Sequence, residues 1–336
     1  MKKMVDEILK KFFVEIEIYE ISPLTGGLIN ETLLAQTDKG QFVLQKINQK
    51  IFINTTALLE NKIKVVAHLK EKRFPTANFI QTLTQEYFCT VDDQIWQISA
   101  YIPSITIYKL NSKIAFKTGE LLAKFHEVLL DFPVDALEYT IRDFHNTQKR
   151  YDQLINTLAI ASIDRVQKAK DEIDFLIENY HKIKPLVDAV NHAQIPIRVV
   201  HNDTKVANIL FDEDENPICF IDFDTLMPGC ILHDIGDALR SGTNRSDENE
   251  RDLEKVVFEK QIYDTFLKGY LSIAQSFISE IELINIHLAL PLMLFEQATR
   301  FLEDYLNNDN YYSVDYSEHN LNRAKTQIKL LNELKF

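Results

Sequence analysis

Two short segments carry residues whose types suit phosphoryl transfer: V-V-H-N-D-T-K-V-A-N-I-L-F over 199–211 and I-C-F-I-D-F-D-T over 218–225. Singly, their polar residues read as turn formers, because Asp and Asn side chains satisfy nearby backbone N–H groups. Jointly they predict a site. Asp203 and Asn208 are five apart on the loop entering a short apolar strand, Ile209–Phe211. Asp222 leaves the next strand, Ile218–Ile221, beyond the turn Asp212–Pro217. A hairpin brings the ends of its outer arms together, so the three side chains can converge at one end of it. One carboxylate then positions a hydroxyl and accepts its proton. An amide oxygen and a second carboxylate suit Mg²⁺, a hard cation that keeps waters and nucleotide phosphates as its other ligands.

H-N-D-T-K-x-x-N followed by I-D-F-D-T-x-M-P-G resembles the catalytic and metal-binding motifs of the aminoglycoside phosphotransferase/choline kinase superfamily. Within it, the wording is most similar to that of the N-acetylhexosamine 1-kinases. G-L-I-N-E-T and V-L-Q-K-I-N near the start, D-I-G-D-A-L-R at 234–240, and R-F-L-E-D-Y-L with H-N-L-N-R-A at 300–324 extend the resemblance over residues 24–324. It implies a protein-kinase-like bilobal fold, with Asp203 as catalytic base and Asn208 and Asp222 holding Mg²⁺. The implied reaction moves phosphate from ATP to the anomeric hydroxyl of an N-acetylhexosamine (GlcNAc or GalNAc), giving the sugar 1-phosphate. Only eleven residues separate Asp222 from Asp234. That leaves no room for the long segment with which a protein kinase docks a peptide, and favours a small acceptor. The rivals are a kinase of another small alcohol (an aminoglycoside, choline or homoserine) and a catalytically inactive nucleotide-binding protein.

Gly26-Gly27, the one glycine pair in a chain with only eight glycines, precedes the first predicted strand, where bare backbone can approach a triphosphate. Asn30 either donates to a phosphate or closes that turn. Gln45 and Lys46 face opposite ways on their strand, so one enters the cleft. Lys46 is favoured, with Glu60 on the following helix as its ion-pair partner, and Gln45 is the alternative. Adenine is placed against backbone near Ile98–Tyr101. Asp224 reads as support for the metal loop or as a surface turn, and Asp237 as a tie from a helix start to the catalytic loop. On the acceptor side, the planar guanidinium of Arg300 suits bidentate bonds to sugar hydroxyl or acyl oxygens. Tyr311 offers a face on which a pyranose can stack.

The elements that must position these residues form an α+β pattern. Residues 1–101 are predicted as a β-rich nucleotide-binding lobe: an amphipathic helix at the start, hairpin strands around Thr37–Gly40, a helix over Ala57–Lys70, and a strand pair around Asp92-Asp93. Residues 102–336 are predicted as a mostly helical catalytic and acceptor-binding lobe. It comprises a helix from Asn111/Ser112 to Leu129, one long helix over 166–190, the short β island carrying the motifs, and helices after residue 250. Ser246–Glu250 reads as an acidic helix start. The net charge, 37 − 50 = −13, opposes a nucleic-acid partner, since no Lys/Arg cluster is present to neutralise phosphates. Three widely spaced cysteines point to a reducing, cytoplasmic setting. The most apolar run, Leu288–Phe295, is far short of the roughly 20 residues of a membrane span. Expected partners are thus a sugar and ATP, with no nucleic acid or membrane, in a monomer or homodimer.

Overall fold

The computed structural model describes residues 1–24 and 30–335. These divide into two compact units, each assembled from separate stretches of chain: 1–106, 128–142 and 207–228 in the first, and 107–127, 143–206 and 229–336 in the second.

The first unit starts with α1 (Lys2–Phe12), whose Val5, Ile8, Leu9 and Phe12 recur at helical spacing and are all buried. They pack against Leu33, Ala35, Phe42, Leu44, Trp96 and Ile98 of an antiparallel five-stranded sheet. Its strands are β1 (Ile18–Pro23), β2 (Glu31–Thr37), β3 (Gly40–Lys46), β4 (Cys89–Val91) and β5 (Gln94–Ala100), in the order β1-β2-β3-β5-β4. The β2–β3 turn closes Thr37 on Gly40, whose φ of 120° no side chain tolerates well. The β4–β5 turn places Asp92 and Asp93 at φ 50° and 59°, the left-handed pair of a tight hairpin. Helix α2 (Thr55–Glu71) is capped by Asn54, which accepts from the Ala57 N–H at 3.2 Å. It runs along the other face of the sheet, where Ile47, Phe52, Leu58 and Leu59 form a separate core.

The second unit is helical: α3 (Ser112–Val128), α4 (Thr147–Leu158), α5 (Ile163–Lys168) and α6 (Lys170–Asn191) precede the short strand β6 (Arg198–Val200). Strands β7 (Ile209–Phe211) and β8 (Pro217–Phe220), which belong to the first unit, and β9 (Met227–Gly229) follow. The chain ends with α7 (Ile231–Gly242), α8 (Lys260–Ala274), α9 (Glu280–Asn285), α10 (Ala289–Leu306) and α11 (His319–Leu334). Helix α10 is the centre of this unit, with 15 of its 18 residues buried, a share that only a helix packed on all sides reaches. The segment Glu280–Leu306 is long and apolar enough to cross a membrane, but 67% of its most apolar window is buried inside the protein. It is a core segment here.

Two predicted elements differ. The helix over 166–190 is interrupted at Ala169, whose φ −103° and ψ 12° leave the helical region. The buried stripe continues through it, with Ala169 fully buried, so periodicity alone could not show the break. Ser246–Glu250 is a loop rather than a helix start; Glu248 instead pairs with Arg240 at 2.6 Å.

Candidate active site

In the first unit the β7–β8 hairpin sets Asn208 and Asp222 on neighbouring chain ends. Ile209 is opposite Phe220, and the Ile221 N–H donates to the Asn208 carbonyl at 2.9 Å, so Asp222 follows directly beside Asn208. Asp222 has φ 64° and ψ 58°, a left-handed conformation that Asp accepts more readily than most residues. The donor set fits magnesium: one amide oxygen and one carboxylate, both hard, on neighbouring chain ends, with coordination left for water and phosphate.

Behind Asp222 the chain makes a one-turn 3₁₀ helix, Phe223–Thr225, and Asp224 turns inward with 3% exposure. Its Oδ1 accepts from Lys62 Nζ at 2.6 Å, and its Oδ2 from the Asn30 amide. The Lys62 side chain is 2% exposed and also donates to Gln45 Oε1 at 3.2 Å. Its neighbour Asn61 clamps the same loop, donating to the Leu226 carbonyl at 3.1 Å. A buried charge is tolerated only when paired and hydrogen-bonded, and Asp224 with Lys62 meets that condition.

In the second unit the segment around Asp203 is held from below by α7. Asp234 accepts from the backbone N–H groups of His201 (2.8 Å) and Asn202 (2.7 Å), and its carbonyl accepts from Thr204 Oγ1 at 2.5 Å. Burial alone would raise the Asp234 carboxyl, but the hydrogen bond and charge of His126 outweigh it and hold it low. Asn202 adopts φ 64°, which turns the chain so that Asp203 leads away from this clamp. Asp203 accepts from Lys205 Nζ at 2.8 Å, with both side chains about a quarter exposed (25% and 23%). On α7 itself, Asp237 pairs with Arg240 at 2.9 Å. Burial, with the nearby Asp203 charge, pushes its carboxyl up against that pairing. Thus Asp234, not Asp237, makes the tie to the loop around Asp203, and it does so from inside the helix's first turn.

A second clamp reaches the same loop. His145 Nε2 bonds the Asn202 carbonyl at 3.0 Å while Nδ1 meets Glu296 Oε1 at 2.7 Å; Thr147 fills Glu296 Oε2 at 2.6 Å. One turn after Glu296 along α10, Arg300 sits between the rings of Phe144 (5.6 Å) and Tyr312 (5.7 Å). Among the described residues its guanidinium has no hydrogen-bond partner, although it lines a cavity of about 360 Å³. That volume lies within the roughly 300–1,000 Å³ of ligand pockets. The acids in the wall are already engaged: Glu303 accepts from Thr157 (2.8 Å), and Asp304 from the Tyr311 and Tyr312 N–H groups (2.8 and 2.9 Å). Among the described residues, polar atoms of Arg150 (Nε) and Tyr312 (Oη) in the wall are buried without a partner. Tyr311 presents its ring at 62% exposure.

A sequence model of the phosphotransferase enzyme family (APH) matches residues 20–265. The chain belongs to this family. Among solved structures, an aminoglycoside phosphotransferase from Alicyclobacillus acidocaldarius superposes at TM-score 0.66 and 14% identity, covering 98% of this chain and 95% of that one. Amicoumacin kinase hAmiN, in complex with AMP-PNP, Ca²⁺ and Ami, gives 0.63 at 14% identity, covering 99% and 93%. A Plasmodium vivax ethanolamine kinase gives 0.57 at 16%, covering 97% and 83%. The fold is therefore kinase-like, a β-sheet N-terminal region with a helical C-terminal region, in a member of the phosphotransferase enzyme family.

Set against its sequence, this phosphotransferase brings Asn208 and Asp222 together as the hairpin predicts, and Asp224 proves to be a buried support for their loop. Asn30 bridges Asp224 and the Asn48 N–H (2.8 Å). Gly26 and Gly27 lie outside the described residues. The expected Lys46–Glu60 ion pair does not form. Lys46 pairs with Glu31 beside Trp96, and Glu60 is an exposed residue that meets Lys64 at 3.5 Å. The pleat explains this: Lys46 shares the α1 face of β3 with Phe42 and Leu44, so only Gln45 faces α2. Local sequence patterning does not by itself single out Lys62, His145 and Glu296. A lysine at a position of the α2 stripe that packs inward is the one local signal for Lys62; His145 and Glu296, 151 residues apart, offer none.

Proposed function

We propose that this phosphotransferase transfers the γ-phosphoryl group of ATP to the anomeric hydroxyl of an N-acetylhexosamine, yielding the sugar 1-phosphate and ADP. Asp203 holds the sugar hydroxyl, accepts its proton as the oxygen attacks phosphorus, and so spares the site an alkoxide in free form. Asn208 and Asp222 would hold Mg²⁺, which neutralises charge on the donor phosphates when bound. His145 and Asp234 keep the loop around Asp203 in one geometry, the condition under which positioning lowers the barrier.

The acceptor assignment rests on Arg300. A stacked guanidinium whose donors face a cavity, in a wall whose carboxylates are already hydrogen-bonded, suits neutral hydroxyl and acyl oxygens. A cationic acceptor would need carboxylates not opposed by cations, and Arg150 and Arg300 line the same cavity as Glu303 and Asp304. The testing experiment is an ADP-release screen over N-acetylglucosamine, N-acetylgalactosamine, their non-acetylated parents, choline, ethanolamine and an aminoglycoside. Turnover confined to the cationic compounds would overturn the sugar reading. With the best acceptor, Asp203→Asn lowers kcat by about 10²–10⁴-fold while Mg²⁺–ADP still binds; retained turnover would remove Asp203 from its role. Arg300→Ala raises KM for the acceptor or lowers kcat, and leaves ATP affinity nearly as it was.

A further inference from the structure

Protein kinases place a lysine on the third strand and pair it with a glutamate on the following helix, and that lysine contacts the donor phosphates. Here strand β3 carries Gln45 at the inward position and helix α2 carries Lys62, so the charge has moved from strand to helix. We propose that Gln45 makes the strand's contact to the donor phosphates through its side-chain amide, and that Lys62, anchored on Asp224, is the residue that positions it. This rests on the kinase reading above, but only on its nucleotide half.

Three observations carry the assignment. Alternation along β3 puts Phe42, Leu44 and Lys46 against the α1 side, where Lys46 is occupied by Glu31 and lies 5.9 Å from the Trp96 ring centre. Ile47 belongs to the core on the α2 side, and Gln45 shares its parity. Second, Lys62 Nζ donates to Gln45 Oε1 at 3.2 Å, which fixes the amide: the oxygen points at the ammonium and the NH₂ points away. Among the described residues that NH₂ has no hydrogen-bond partner. An amide whose oxygen is bound to a cation is a stronger donor, so a neutral side chain can serve an anionic phosphate. Third, Lys62 is bound to Asp224, two residues beyond the metal-loop Asp222, and lies 5.5 Å from the Phe79 ring centre. One ammonium therefore sets the phosphate-facing amide and the metal loop in a single frame.

Calorimetric titration with Mg²⁺–ADP tests this without any acceptor, and a melting temperature accompanies each variant. Gln45→Glu keeps the shape and gains an ion pair with Lys62, so it folds, yet it replaces the donor NH₂ by an anionic oxygen. It is expected to weaken Mg²⁺–ADP binding by roughly tenfold or more. Gln45→Ala also weakens binding, and by more than Lys46→Ala. Lys62→Met leaves Asp224 buried without its cation and is expected to melt early. Lys62→Met/Asp224→Asn removes both charges together, recovering the melting temperature but not the affinity. A structural role alone would recover both, and that result overturns the proposal, as does Lys46→Ala being the more damaging of the strand variants. If the wild-type protein itself fails to bind Mg²⁺–ADP, the kinase reading falls, an outcome distinct from either.

Discussion

His145 and Glu296 illustrate how much of this site depends on charges far from one another in sequence. Both are almost fully buried, at 6% and 0% side-chain exposure. Burial works against the charged form of each. For His145 it is outweighed by the Glu296 charge and hydrogen bond, which raise its pKa above the usual 6.5. For Glu296 the His145 charge and hydrogen bond, with Arg300, bring the carboxyl down to about 2. The adjoining His233, lowered to about 4 by burial and by His145, stays neutral over the working range. A raised His contributes stability fully below its unfolded pKa and loses it as pH rises through the folded value; a depressed Glu contributes above its unfolded pKa and loses it as pH falls through about 2. The pair is thus complete between about pH 4.5 and 6.5 and weakens on the alkaline side. A double-mutant cycle of His145→Asn and Glu296→Gln should give a coupling of about 1–3 kcal/mol near pH 5.5 and clearly less near pH 9. Coupling that stayed constant across the whole pH range, with no fall as His145 loses its proton, would mean the pair is not ionised. The neighbourhood of Asn208 and Asp222 was legible because both flank one hairpin. His145, Glu296 and Lys62 acquire their partners only through tertiary packing, which no short motif encodes.

Helices of the second unit touch through glycines, and there the elements have no slack. A Cβ on Gly236 of α7 would run into the Ala289 carbonyl at the start of α10, and one on Gly119 of α3 into the Phe266 carbonyl of α8. Backbone atoms cannot turn aside as a side-chain tip can, so the helices must separate. Gly236→Ala is expected to destabilise by about 1–3 kcal/mol or more, despite alanine's better helix propensity, and the denaturant midpoint measures it. Unchanged stability would show that the α7–α10 contact is looser than described. The same contact holds α7 as the platform for Asp234, so turnover should fall along with the midpoint. At this scale the sequence was read best where a stripe was long and regular. Helix α2, read as 57–70, spans Thr55–Glu71. Strand β1 is not legible in the sequence because its residues are mostly half-buried or exposed, with only Ile18 buried and Pro23 ending it, which leaves weak alternation. The Ala169 break was hidden because the residue that interrupts the helix also belongs to its buried stripe.

For the molecule as a whole, the family was legible at about the level the fold now shows, whereas the acceptor turns on a few side chains in one cavity. The net charge of −13 has a local counterpart in this picture. Carboxylates buried without a cation would be costly, and Asp224, Asp234 and Glu296 each have a partner built into the fold: Lys62, His126 and His145. Asp222 is different in kind, because the proposed function gives its carboxylate to a cation supplied from solution. Binding that favours the folded state raises stability by mass action, by about 2.7 kcal/mol at a ligand concentration 100 times Kd. Mg²⁺ with ADP should therefore raise the melting temperature by a few degrees, and chelation of the metal should return it to the nucleotide-free value. Asp222→Asn should fold normally and lose most of the metal-dependent part of the shift, since the variant keeps the shape but not the charge. Asp203→Asn should retain it, because a proton acceptor for the sugar hydroxyl is not needed to bind the donor. If both variants lost the shift equally, the division of labour between Asp203 and Asp222 would be wrong, even with the family and the fold intact.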